Sequence, residues 1–449
     1  MSPNWTSTEW TASEQAGLPA EGLSGAGRQG GPGAAVAEAR KRATRLRDSA
    51  LGLKALLDRP LASYYLVLGC TLLLLAVGLM MVLSTSTAYD LDSKAPPYSI
   101  FEKQLLGAVA GLALMFLLAK APPRLFRTFA YPLLLATLLG LVLVLLAGHE
   151  YYGGKRWLSI GGNEVQPSEF AKLALVVWGA DLLARKQKLG QLADWRHLLV
   201  PLLPGAALTC MLVMLGNDLG TTFLLIVIFL SLLWVVGAPG RLLFLLLALM
   251  AFALAMLIVV HPDELQRISG FVSEQSAASC QSCYQLVQGK NALGSGGWFG
   301  VGLGASTAKW GWVPLDYADF IFAILGQELG LVGATCVVML YGALAFAGLR
   351  VARRVPDTFS RLAAGAITVW LTTQAVVNIG AVLGLLPITG VPLPLISAGV
   401  SSLVATLAAV GMLLSFARTE PGAARALAAA GPGRVRRLLG WLSIARRQS

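Results

Sequence analysis

ASYYLVLGCTLLLLAVGLMMVLS, residues 62 to 84, contains no charged side chain from end to end. A bilayer core about 30 Å thick takes roughly 20 apolar residues per helical crossing, so this run is long enough to span it. Lipid offers the backbone no hydrogen-bond partners, and the run therefore reads as a helix that satisfies its own amides, not as a barrel strand. Outward from it, similar runs lie near 101 to 119, 128 to 147, 167 to 184, 198 to 215, 219 to 236, 242 to 260, 320 to 348, 361 to 385 and 394 to 417. They predict an all-α polytopic membrane protein with about ten transmembrane helices. Composition agrees: of 449 residues, 56% are hydrophobic and 13% charged, too little polar surface to cover a water-soluble globule.

The formal charge of +12 does not point to nucleic acid, because the basic residues sort by loop. Lys120, Arg124 and Arg127 follow the second run, Arg185, Lys186, Lys188 and Arg196 the fourth, and Arg350, Arg353, Arg354 and Arg361 the eighth. The alternate loops carry Asp90, Asp92, Glu150, Glu164, Asp263, Glu264 and Glu274 with few cations. By the positive-inside rule both termini are cytoplasmic, and the long loop 262–319, before helix eight, is extracellular. Residues 1–60 read as a cytoplasmic tail, with no cleavable signal peptide ahead of the first run. Its first 35 residues are Gly, Ser and Ala rich and suit disorder; Val36 to Arg59 is basic and amphipathic, suiting an anionic membrane surface. Residues 61–418 form the transmembrane domain. Residues 419–449 form a basic cytoplasmic tail, read either as a second interfacial helix or as a solvated segment.

Cys70, Cys210 and Cys336 fall inside runs and suit apolar packing. Cys280 and Cys283 lie in the external loop, where the compartment allows oxidation, and are a disulfide candidate. With no second Cys or His pair nearby, and with His149, His197 and His261 scattered over the chain, neither zinc nor a His-based metal centre is favoured.

Ionisable residues at membrane depth are costly and mark function by default. Three regions qualify. Lys155-Arg156-Trp157-Leu158 precedes Gln166-Pro167-Ser168-Glu169-Phe170-Ala171-Lys172. Pro167 suits a first helical turn, which Gln166 or Ser168 helps to cap, and Glu169 and Lys172 share a helix face. They form either a structural ion pair or, with Lys155 and Arg156, part of a phosphate or pyrophosphate site. Asn217-Asp218-Leu219-Gly220 is a tight turn with Asp218 placed as an N-cap. The third region is the loop from Gln285 to Asp319, with glycines from Gly294 to Gly304 and then Lys309. No strand precedes its GxG element, so a dinucleotide fold is rejected in favour of a flexible, partly re-entrant loop. Asp319 stands where that loop enters the eighth run. It is either an N-cap or a general base, ionised at neutral pH beside a positive helix end and strengthened by partial burial.

In order and spacing these segments resemble the SEDS family (shape, elongation, division and sporulation; the FtsW, RodA and SpoVE proteins) over about residues 62 to 418. Arg156-Trp157-Leu158 through Gln166 to Lys172 is similar to the family's RW(L/I)…QPSEFAKL signature. Asp218-Leu219-Gly220-Thr221, the glycine loop through Ser306, Asp319-Phe320-Ile321-Phe322-Ala323 and Gly384-Leu385-Leu386-Pro387 to Gly399 also match. Leu175 to Lys186, Lys309-Trp310-Gly311 and the external cysteines look like the division-type FtsW proteins of actinobacteria. Three features depart from the pattern: Tyr317-Ala318 stands before Asp319 in place of His-Thr, Gln327 replaces a Glu, and Ser397-Ala398-Gly399-Val400 replaces Ser-Tyr-Gly-Gly.

The resemblance implies a peptidoglycan glycosyltransferase that polymerises undecaprenyl-linked lipid II at the extracellular side of the cell membrane, with inversion. It implies Asp319 as the catalytic base and Arg156, with Lys155 or Lys309, at the leaving pyrophosphate. Glu169 and Lys172 are further substrate-site candidates. Mg2+ or Mn2+ is a possible helper, and a class B penicillin-binding transpeptidase and other divisome proteins are the implied partners. A lipid-linked precursor flippase using Glu169, Lys172 and Asp181, and a non-catalytic scaffold of the cell-wall synthesis complex, are the alternatives.

Overall fold

The computed structural model describes residues 60–92, 96, 98–151, 154–160, 163–190, 198–260, 281–310 and 318–429, all within one compact unit, Asp58–Ser449. Cys280, the side chain of Cys283, Tyr317, the N-terminal tail through residue 59 and the C-terminal tail from residue 430 lie outside them. The helices are α1 Ala62–Asp92, α2 Ser99–Lys120, α3 Pro123–Thr128, α4 Ala130–Ala147, α5 Pro167–Lys188, α6 Leu202–Leu215, α7 Leu219–Val236, α8 Gly240–Val260, α9 Gln281–Ser295, α10 Ile321–Arg354, α11 Thr358–Val382, α12 Val400–Arg418 and α13 Pro421–Ala429.

Each of the ten predicted runs contains a helix, the tenth beginning only at Val400 because residues 394–399 belong to the preceding loop. Among the described residues seven helices, α1, α2, α4, α7, α10, α11 and α12, are long and apolar enough to cross a membrane. Helix α6 has only 14 residues. Helix α5 carries Glu169, Lys172 and Asp181, yet every residue from Ala171 to Ala184 is buried. It is enclosed by protein instead of lipid, and ionisable groups at membrane depth are tolerated on such a helix.

Between α4 and α5 the chain forms a small antiparallel sheet that was not predicted: β1 His149–Tyr151, β2 Gly154–Ile160 and β3 Asn163–Val165, in the order β1-β2-β3. Glu150 opposes Lys155, and Ser159 opposes Glu164. The sequence signal is a six-residue run, Lys155 to Ile160, bracketed by Gly153-Gly154 and Gly161-Gly162, a hairpin pattern overshadowed by the long apolar runs.

The cationic loops meet at one end of the bundle. Asp181 pairs with Arg127 at 2.8 Å and with Arg185 at 2.7 Å, Arg127 lies over the Phe359 ring, and Arg418 donates to Ala119 O. Glu420 is buried at the same end. Burial pushes its carboxyl up, against the pull of a Ser63 hydrogen bond and of Arg354 and Arg350.

Helix α10 breaks at Gly330, whose φ is 68° and ψ −171°. An unbroken helix would pair Leu331 N with Gln327 O and Val332 N with Glu328 O. Here the glycine loop supplies the partners instead. Leu331 N donates to Gly297 O (2.9 Å) and Val332 N to Trp298 O (3.1 Å), while Val301 N reaches Gln327 O (3.0 Å) and Gly302 N reaches Glu328 O (3.1 Å). The expected flexible loop is thus spliced into a helix, and all four backbone groups freed by the break are satisfied.

Gly330 crosses Gly300 back to back. Both have positive φ, and a Cβ on Gly330 would lie 2.6 Å from Trp298 O. Gly330→Ala is expected to cost at least about 1–3 kcal/mol from backbone strain alone. The cost would appear as a lower melting temperature of the solubilised protein and faster proteolysis of the loop.

Candidate active site

The end of the bundle opposite the arginines is organised by the loop 383–399 between α11 and α12. Two side chains one turn apart on α11 hold it. Gln374 Nε2 donates to Pro392 O (2.9 Å), and Asn378 Nδ2 donates to Val391 O (2.8 Å). Tyr341 OH on α10 donates to Pro394 O, and Ser397 Oγ accepts from Leu393 N (2.8 Å). Gln104 on α2 donates to Ser397 O and accepts from Gly399 N. Gly78 and Gly220 bring α1 and α7 against the loop: a Cβ at either would overlap the carbonyl oxygen of Leu395 or Thr389, respectively.

Asp319 borders this loop. Asn378 Nδ2 also donates to Asp319 O at 2.8 Å, so one buried amide ties the Asp319 turn to Val391. A Cβ on Gly390 would lie 3.6 Å from Asp319 Oδ2, which puts the carboxylate over the loop's glycine. The N-cap reading of Asp319 is corrected: that position belongs to Phe320, with no side-chain cap. The carboxylate stands one residue outside the helix, half-buried. Asn378→Ala would leave two buried carbonyls without this donor, at about 1–3 kcal/mol each. Melting should fall, and turnover should fall more than substrate affinity, because the lost contacts orient Asp319 and bind nothing.

The other candidates divide into a surface pair and buried groups. Lys155 is exposed on β2 and Arg156 half-buried. Arg156 Nη2 donates to Asn217 O, while its Nε is buried without a partner. Asp218 caps α7 as expected, accepting from Thr221 N at 3.0 Å. Its other oxygen accepts from Gln166 Nε2 (3.3 Å) and Ser168 Oγ (3.4 Å). Those two side chains therefore do not cap α5, contrary to expectation; they join its start to that of α7. Gln166 N in turn donates to Ser401 Oγ at the start of α12. The N-termini of α5, α7, α10 and α12 thus converge around the loop, and each contributes a partial positive charge.

Glu169 and Lys172 are buried and paired at 2.9 Å. Lys172 Nζ also donates to Gln374 Oε1 (3.1 Å), which accepts from Trp370 Nε1 (2.7 Å) as well. Two donors on one side of the Gln374 amide force its NH2 toward Pro392. The pair is therefore a buttress beneath the loop, out of a substrate's reach. Asp181, the third residue of the flippase reading, is held by Arg127 and Arg185 at the other end of the bundle.

Lys309 is buried too, 3.6 Å from Glu328 Oε1, and donates to Ser84 Oγ (3.1 Å) and Gly304 O (2.7 Å). Sequence reasoning missed Glu328 and gave Gln327 no role. Gln327 accepts from Ser306 Oγ and Ala308 N and donates to Ser295 Oγ and Thr307 Oγ1. A neutral amide both accepts and donates, which a carboxylate cannot do.

A family profile described as the FtsW/RodA/SpoVE cell cycle protein matches residues 64–421. The chain belongs to the FtsW/RodA/SpoVE family. A relative from Mycobacterium tuberculosis, named "Probable peptidoglycan glycosyltransferase FtsW", is 40% identical over 387 residues, 86% of this chain and 73% of the relative. Among solved structures, one reported under "Structural coordination of polymerization and crosslinking by a peptidoglycan synthase complex" aligns with TM-score 0.65 at 29% identity, over 79% of this chain and 97% of the other. The rod shape determining protein RodA of Thermus thermophilus aligns with TM-score 0.58 at 28% identity, over the same shares. The polytopic all-helical architecture read from the apolar runs is the architecture of this FtsW/RodA/SpoVE member.

Proposed function

We propose that this FtsW/RodA/SpoVE member is a peptidoglycan glycosyltransferase that polymerises undecaprenyl-linked lipid II, with Asp319 as general base. The observation that carries the reading is the carboxylate of Asp319, outside its helix and over Gly390, among four converging helix N-termini. A base beside an anion-stabilising field suits a reaction in which a hydroxyl attacks and a pyrophosphate leaves.

Asp319 takes the proton of the acceptor's 4-hydroxyl as that oxygen bonds to the anomeric carbon of the donor's MurNAc. The bond to the pyrophosphate breaks on the opposite face, with inversion. Undecaprenyl pyrophosphate departs, its growing charge stabilised by the helix ends and by Arg156, whose Nε has an unused proton, with Lys155 at the rim. Lys309, Glu169 and Lys172 hold the two loops in place. Among the described residues no group of three or more His, Cys, Asp or Glu converges. A divalent cation carried on the pyrophosphate would need at most one or two protein carboxylates, and would neutralise charge there.

The arginine end faces the cytoplasm by the positive-inside rule, which turns the site outward in the cell membrane. The likeness to a peptidoglycan synthase complex supports a partner that crosslinks, a class B penicillin-binding transpeptidase, within the division machinery. The test is polymerisation of labelled lipid II by the purified protein, with and without that partner and with EDTA followed by Mg2+ or Mn2+. Glycan strands are expected. Lipid II flipping in liposomes with no polymer under any condition would overturn the assignment.

A further inference from the structure

The splice at Gly330 fixes not only the path of the glycine loop but its depth. Helix α10 ends in Arg353 and Arg354, which belong at the headgroups of one leaflet. From there back to Leu331 the helix rises about 34 Å at about 1.5 Å per residue, slightly more than a hydrocarbon core of about 30 Å. Leu331 and Val332 therefore lie at the boundary between acyl chains and headgroups of the opposite leaflet. They face outward, each 52% exposed, in line with Val338 and Met339 farther down the helix.

Through their carbonyls Gly297 and Trp298 accept from those same two residues, so the loop sits at that boundary. Its side chains there are apolar and uncovered. Phe299 is 82% exposed, more than any other large hydrophobic side chain among the described residues, and Trp298 is 70% exposed; Val301 and Leu303 continue the surface. Water is a poor solvent for this cluster, whereas the membrane interface is where aromatic rings concentrate.

We propose that residues 296–304 form an interfacial anchor, inserting Trp298 and Phe299 into the phospholipid leaflet on the active-site side. The lipid-facing surface of α10 runs without interruption into this patch, which identifies bulk phospholipid as its occupant. The anchor would hold the stem of the loop leading to Asp319 at constant height above the membrane. It depends on the membrane-spanning fold alone and stands whether or not the chain polymerises lipid II.

The experiment is depth measurement by fluorescence quenching. NBD is coupled to a Phe299→Cys variant, in full-length protein whose native cysteines are replaced, reconstituted in phosphatidylethanolamine and phosphatidylglycerol vesicles. Nitroxides are placed high or low on the acyl chains, and iodide is used in the water. Val332→Cys, Met339→Cys and Ser159→Cys, labelled in the same way, calibrate the interface, the membrane interior and exposed strand β2. The Phe299 probe is expected to match Val332: most of its emission lost to shallow nitroxides and little to iodide. Trp298→Cys is a second position should the first variant fold poorly. A profile matching Ser159 or Met339 would overturn the proposal. So would a blue shift that appears only on adding undecaprenyl phosphate, which would give the patch to the substrate's carrier lipid.

Discussion

Asp319→Asn makes glycan strands about 10²–10⁴-fold more slowly than the wild type, the range a positioned general base contributes. The substitution is nearly isosteric, and Asn378 grips the backbone carbonyl of residue 319, not its carboxylate. The turn over Gly390 should therefore survive, and lipid II should still bind. Gel analysis of product from labelled lipid II, alongside a binding measurement, separates the two. Equal product from wild type and variant would remove Asp319 from the chemistry and favour a different base on the same loop. Rescue of a deletion strain by the variant at normal expression would favour the scaffold reading.

The second large effect is expected far from any substrate. Lys172→Met leaves the Glu169 carboxylate buried without its cation, and breaking such a pair costs about 3–5 kcal/mol. Glu169 Oε2 has no hydrogen-bond partner even in the intact protein, so little else can compensate. Removing both charges together, in Glu169→Gln with Lys172→Met, should recover much of the stability, because a buried pair replaced by neutral groups is often close to neutral. Activity should not recover with it. Without the lysine ammonium, Gln374 loses one of the two donors that orient its amide toward Pro392. Melting curves of the three proteins with their polymerisation rates test this. A single variant as stable as the double would show that the pair is not the buttress proposed, and full activity in the double would free Gln374 from dependence on it.

The two substitutions act on different links of one chain of contacts. Asp319 would do the chemistry. Asn378, Gln374, Lys172 and Glu169 determine where its loop sits. The same residue types on a polar surface would carry little of this weight, since solvent would screen the ion pair and compete for the amides.

Much of this was legible without coordinates. The apolar runs determine that the chain is helical and membrane-spanning, because lipid imposes length and backbone self-satisfaction on any crossing segment. The alternation of arginine-rich and acidic loops separates the two ends of the bundle, and the Asp218 cap and the Glu169–Lys172 pair follow from helix spacing alone. Other features were beyond a local reading. Periodicity could not tell a lipid-facing helix from the enclosed α5, since that depends on which helices surround it. Whether Lys172 and Lys309 meet a substrate or a buried glutamate depends on contacts between residues far apart in sequence: 202 positions separate Lys172 from Gln374. The glycine loop ending toward Asp319 shows the division well. Its glycines announce unusual backbone, but only the tertiary structure shows that they splice the break at Gly330, because hydrogen bonds lost in one helix can be restored by whichever segment the fold brings alongside.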